Sequence, residues 1–138
     1  MGGKVRFLEF VVPGIPVAKR RPRFSRRGKF VKVHTDEKTV RYEEVITSYA
    51  REAMRKEGFA VDGPVAVSIV AVFQRPKSRK KNALMDRKPD LDNVCKSVID
   101  GISNAGAIKN DSRVVMIAAR KEYGELPETR VAVEEFTQ

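Results

Sequence analysis

The segment KPDLDNVCK, residues 88–96, places Asp90 and Asp92 one residue apart behind Pro89 and follows them with Asn93 and Lys96. A third acid, Asp111, stands just ahead of the apolar run Val114-Val115-Met116-Ile117. Three aspartates form an oxygen-only donor set, and such a set suits Mg²⁺ or Mn²⁺ rather than zinc. A helix returning through Gly106 is expected to bring the start of that run near Asp90 and Asp92. The same residues also have a purely structural reading. Asp90 caps a helix, Asp92 pairs with Lys96 at i, i+4, and Asp100 is solvated.

The element that must position these acids is a helix. Leu91, Val94, Cys95, Val98, Ile99 and Ile102 recur at spacings of three and four, so one stripe is buried and Asp92, Asn93, Lys96 and Asp100 share the opposite face. Pro89 disfavours helical geometry at Lys88, Asp90 stands where a helix begins, and Asp92 falls in the first turn, where the helix dipole stabilises negative charge. Around this helix the pattern predicts a strand from Val5 to Val12 and a short strand within Lys29–His34. A helix from about Asp36 to Glu57 follows, started by Thr35 or Asp36 and ended by Gly58, with Tyr42, Val45, Ile46, Tyr49, Ala50, Ala53 and Met54 on its apolar stripe. Pro64 opens PVAVSIVAVF, apolar on both faces as suits a central strand, and two further strands run from Val114 to about Tyr123 and from Thr129 to Phe136. The expected fold is α+β, a single domain over residues 1–138, with two helices packed on a mixed or antiparallel sheet in the order β-β-α-β-α-β-β.

Charge points to the partner. Against 18 Asp and Glu there are 28 Lys and Arg, a net charge of +10. That imbalance favours a polyanion, because each phosphate contacted releases counterions. The cations are clustered: eight of the fourteen residues from Lys19 to Lys32 are Lys or Arg, as are seven of the fourteen from Arg75 to Lys88. Phe24 and Phe30 interleave the first cluster, as core residues or as stacking surfaces for bases. His34, the single histidine, is structural or a DNA contact; Cys95, the single cysteine, is a small buried hydrophobe. One cysteine allows no internal disulfide and agrees with a reducing, cytoplasmic setting. No stretch approaches the roughly 20 apolar residues of a membrane span, and MGGKVRFLEF lacks a secretory h-region.

PDLDNVCKSVID, followed eleven residues later by DSRVV, resembles the motif of the RusA-like Holliday-junction resolvases, endonucleases often encoded by prophages. The resemblance extends to PGIPVAKRRPRF, to TDEKTVRYEE and to the Pro-Val strand, and so spans most of the chain. It implies that Asp90, Asp92 and Asp111 are catalytic, metal-holding acids and that Lys96 is a functional lysine on the same helix. Asp100 matches a recurrent acid of the family. Many members have two adjacent acids where this chain has Asn110-Asp111; the second is the one the family uses.

The resemblance further implies Mg²⁺-dependent (or Mn²⁺-dependent) hydrolysis of DNA, a homodimer, and paired symmetric nicks in a four-way junction. Metal-assisted phosphodiester cleavage asks for a Lewis acid, an in-line water and a cation such as Lys96 on the phosphate. The expected DNA contacts are Lys19, Arg20, Arg21, Arg23, Arg26 and Arg27 in the first basic stretch and Arg75, Lys77, Arg79, Lys80 and Lys81 in the second. Two other readings stay open: a non-catalytic basic DNA- or RNA-binding protein, and a nuclease for other branched DNA such as flaps or forks.

Overall fold

The computed structural model describes residues 6–20, 23–28, 30–34, 36–59, 61–79 and 81–136. Strand β1 (Phe7–Pro13) is followed by a hairpin of β2 (Arg23–Arg27) and β3 (Phe30–His34), helix α1 (Glu37–Glu57), strand β4 (Val65–Gln74), helix α2 (Leu91–Ala105), β5 (Val114–Gly124) and β6 (Glu128–Glu135). The expected α+β architecture is present: two helices and a four-stranded mixed sheet ordered β1-β6-β4-β5. One element has no signal in the sequence pattern. The strand β2 has the sequence RFSRR, whose charges hide any alternation, and it pairs with β3 as a separate two-stranded sheet around Gly28 at φ 58°.

Strand β4 is central, as its valine-rich run predicts, pairing antiparallel with β6 and parallel with β5. Parallel neighbours require a crossover, and α2 is that crossover. The helix therefore runs back against the strand direction. Its N-terminus lies at the carboxyl ends of β4 and β5, and its C-terminus returns the chain to the beginning of β5.

Alternation decides which sheet face is buried. Leu8, Phe10 and Val12 of β1, Val131 and Val133 of β6, and Val65, Val67 and Ile69 of β4 join Tyr42, Ile46 and Ala50 of α1 and Val98 and Ile102 of α2 in one core. Val94 reaches a second cluster with Ala71, Phe73, Met85 and Tyr123. The helices cross closely because residue 101 has no side chain: a Cβ on Gly101 would lie 2.5 Å from Ile46 Cγ2. Thr47 Oγ1 seals the crossing by donating to the Gly101 carbonyl at 3.0 Å. Tyr42 ties α1 to the sheet through its hydroxyl, 2.5 Å from Thr129 Oγ1, and burial pushes its phenol up to about 12. Among the described residues no helix is long and apolar enough to cross a membrane.

Candidate active site

Among the described residues both α-helices start at an aspartate, and the two behave differently. Asp36 caps α1, its Oδ1 accepting from the Thr39 amide at 3.2 Å. Asp90 holds the same position on α2, extended at φ −69° and ψ 135°, yet its carboxylate makes no capping hydrogen bond. The Asp92 Oδ1 accepts from the neighbouring Asn93 amide at 2.9 Å, and among the described residues no ion pair joins Asp92 to Lys96. The capping and i, i+4 roles that would explain these acids structurally are thus unfilled. Both carboxylates are exposed and face an open cleft of about 950 Å³ whose rim carries Lys19, Arg20, Lys88 and Lys96.

One wall of the cleft is the segment entering the β2–β3 hairpin. Lys19 donates its amide to the Asn93 carbonyl at 2.8 Å, and Thr39 Oγ1 donates to the Ala18 carbonyl at 3.3 Å. The Lys19 ammonium bonds Asp100 and lies 3.3 Å from the otherwise unpartnered, buried Glu43 Oε1. The Asp100 hydrogen bond is the main reason its pKa is raised. Asp100 is therefore not a solvated acid but a link from α2 to this wall. Arg20 reaches Asp36 Oδ2 at 3.7 Å, which sets it beside the cleft at the start of α1.

The other wall is zipped to the end of β5. Tyr123 donates its amide to the Ala83 carbonyl at 3.0 Å, Met85 donates to the Lys121 carbonyl at 3.2 Å, and Leu84 bridges Glu122. Met85 is buried and anchors this stretch in the core. The Lys121 ammonium donates to the carbonyls of Arg87 at 2.6 Å and Pro89 at 2.9 Å, on either side of Lys88.

Asp111 is elsewhere. It lies in a 3₁₀ turn, Asp111–Arg113, that runs into the start of β5. Val114 pairs with Val65, the first residue of β4, and Lys109 meets Asp62 at 3.4 Å. Lys121, which touches Pro89, is at the opposite end of the same strand. Fifteen residues of α2 span about 22 Å, so Asp90 and Asp111 sit at opposite ends of the helix. Among the described residues no three His, Cys, Asp or Glu side chains group closely enough to hold a metal ion. The expectation that the start of this strand returns to the start of the helix is corrected by the parallel crossover. Asn110 serves the local backbone, since its Oδ1 accepts from the Ser112 amide at 3.0 Å and caps the turn.

Residues 13–134 match the family described as Endodeoxyribonuclease RusA. The chain belongs to the RusA endodeoxyribonuclease family. It is also 30% identical over 141 aligned residues to an uncharacterized protein, YqaN, of Bacillus subtilis strain 168, covering 94% of this chain and 97% of that protein.

Within this RusA-type domain the remaining expected residues fall in three groups. Asp90, Asp92, Lys96, Lys19 and Arg20 line one cleft. Arg26, Lys77 and Lys81 are exposed outside it, and Arg75 lies against the Tyr123 ring, 5.8 Å from its centre, with a bond to the Asn82 carbonyl. Arg21 and Lys80, and the side chains of Arg23, Phe24, Arg27, Phe30, His34 and Arg79, lie outside the described residues. Cys95 is buried as expected, which pushes its thiol up, with the Asp92 charge adding to the effect. The expected site residues did not include Lys88, Asn93 or Lys121. Lys88 and Asn93 flank the acids, so adjacency was an available signal. Lys121 pairs with buried Ala71 on the helix-facing side of the sheet, and a lysine at that parity was the clue.

Proposed function

We propose that this protein is a divalent-metal-dependent endonuclease that cuts branched DNA, with the four-way junction as its substrate and Mg²⁺ or Mn²⁺ as its ion. The observation that carries the reading is the Asp90–Asp92 pair: two exposed carboxylates, neither engaged in a cap nor in an ion pair with Lys96, in a cleft rimmed by cations. The donor set fits a hard cation, since Mg²⁺ is commonly held by one or two carboxylates with waters and substrate phosphate completing its shell. Asp90 and Asp92 would hold the ion, which supplies a Lewis acid and an activated water. Lys88 and Lys96 face the same cleft and would neutralise the phosphate as charge develops on it.

Asp111 does not reach this cleft within one chain, so it would join the metal site only from a second copy. A homodimer would allow this, and it is the assembly that suits two coordinated nicks in a symmetric junction. Strand β5 offers a place for it: among the described residues, Val114 to Arg120 is paired only with β4, and Val115, Met116 and Ile117 are exposed by 58%, 52% and 49%. Exposed Lys77 and Lys81, beyond the cleft, suit the arms of the substrate.

The test is a gel assay with a labelled four-way junction, its component duplex, a flap and a fork, each with Mg²⁺ or EDTA. Paired symmetric nicks in the junction, with Mg²⁺ and not with EDTA, are expected. Binding in both conditions without any nick would identify a non-catalytic DNA-binding protein instead. Preferential cutting of the flap or fork would reassign the substrate.

A further inference from the structure

Asp90 lacks the side-chain hydrogen bond that would hold a capping acid in place. Its position must therefore come from the backbone that delivers it. A side chain from the sheet grips that backbone. Lys121 of β5 is half-buried on the helix-facing side of the sheet, and among the described residues its ammonium forms no ion pair with a carboxylate. It donates instead to two carbonyls, Arg87 at 2.6 Å and Pro89 at 2.9 Å. The second belongs to the peptide unit leading directly into Asp90, and the pair straddles Lys88, which lines the same cleft. The backbone carbonyl of Lys121 also accepts from the Met85 amide, so this residue binds the loop twice.

We infer that Lys121 is a positioning residue of the Asp90–Asp92 site, holding the Arg87–Pro89 backbone so that Lys88 and Asp90 face the cleft in one fixed geometry. The inference rests on the nuclease reading for its consequence in catalysis, but not for the latch itself. Charge-assisted bonds to carbonyls are stronger than neutral ones, and a rigid strand is a better support than a loop. The ammonium touches the backbone rather than a substrate, so its loss should act through geometry.

The experiment compares wild type, Lys121→Met, which keeps length without donors, and Lys121→Arg, which keeps a cationic donor. Three quantities are read on the same preparations: the ¹³C carbonyl shifts of Arg87 and Pro89 without metal or DNA, junction affinity in EDTA, and the single-turnover nicking rate in Mg²⁺. Lys121→Met should move both carbonyl shifts, leave junction affinity near wild type and slow nicking roughly 10- to 100-fold, the scale expected when a reacting group is misplaced by about 1 Å. Lys121→Arg should recover most of the rate. Unmoved carbonyl shifts in Lys121→Met overturn the latch whether or not the protein cuts DNA. Should wild type nick and Lys121→Met nick equally fast, the positioning role falls while the nuclease reading stands. A wild-type protein that binds but never nicks removes the nuclease reading, and the carbonyl shifts still decide the latch. Equal rate losses in the Met and Arg variants, tracking a loss of folded protein, would make Lys121 an ordinary structural brace and overturn the proposal.

Discussion

Replacing Asp90 with asparagine separates a structural acid from a chemical one, because the fold supplies its own reference in Asp36. The Asp36 carboxylate accepts the Thr39 amide and meets Arg20, so Asp36→Ala should cost about 1 kcal/mol, the usual value of a working N-cap. Asp90 makes no such bond. Asparagine is an equally good N-cap residue, so the stability change for Asp90→Asn reduces to a charge near the helix dipole, about 0.3–1 kcal/mol at an exposed position. For a domain of this size that is a melting shift of at most about 3–5 °C. The effect on nicking is of another order. Changes one shell removed from a metal cost 10- to 100-fold, so losing an anionic donor itself should lower the single-turnover rate by at least about 100-fold. Junction affinity in EDTA should hold or tighten, since a negative charge facing the phosphates is gone. Melting, affinity and nicking measured together decide the matter. An Asp90→Asn protein that nicks at the wild-type rate, or that melts far below Asp36→Ala, would refute the reasoning.

Three other outcomes are expected. Gly101→Ala places a methyl 2.5 Å from Ile46 Cγ2 and 2.7 Å from its Cβ, so it should destabilise the protein by about 1–3 kcal/mol in urea titration despite alanine's better helix propensity. Lys77→Ala with Lys81→Ala should leave stability unchanged and flatten the salt dependence of junction binding by about 1.8 in log–log slope, about 0.9 for each phosphate no longer neutralised; an unchanged slope would make these lysines ordinary surface. The Cys95 thiol is raised above its ordinary 9.0 by burial, so native protein at pH 8 should react with a thiol reagent far more slowly than protein in urea; the same shift contributes stability below the thiol's ordinary value that is lost as pH rises through the folded one.

Much of this fold was legible because side-chain periodicity is a local property. The stripe from Leu91 to Ile102 marks the buried face of α2, Asp36 and Gly58 mark the ends of α1, and the valine-rich run of β4, apolar on both faces, marks a strand with neighbours on both sides. The acidic motif was legible for the same reason, as neighbouring residues on one short segment. Periodicity says which face is buried but not which way the next strand runs. Whether Asp111 meets Asp90 depended on β5 lying parallel to β4, which sends α2 backwards and parts the acids by its full length. Whether Lys19 stayed free for phosphate or was taken by Asp100 and Glu43, and whether a lysine from β5 gripped the loop before Asp90, were decided only when distant segments met. Those contacts join residues dozens of positions apart, and their partners are chosen by strand order and direction, which no local pattern encodes.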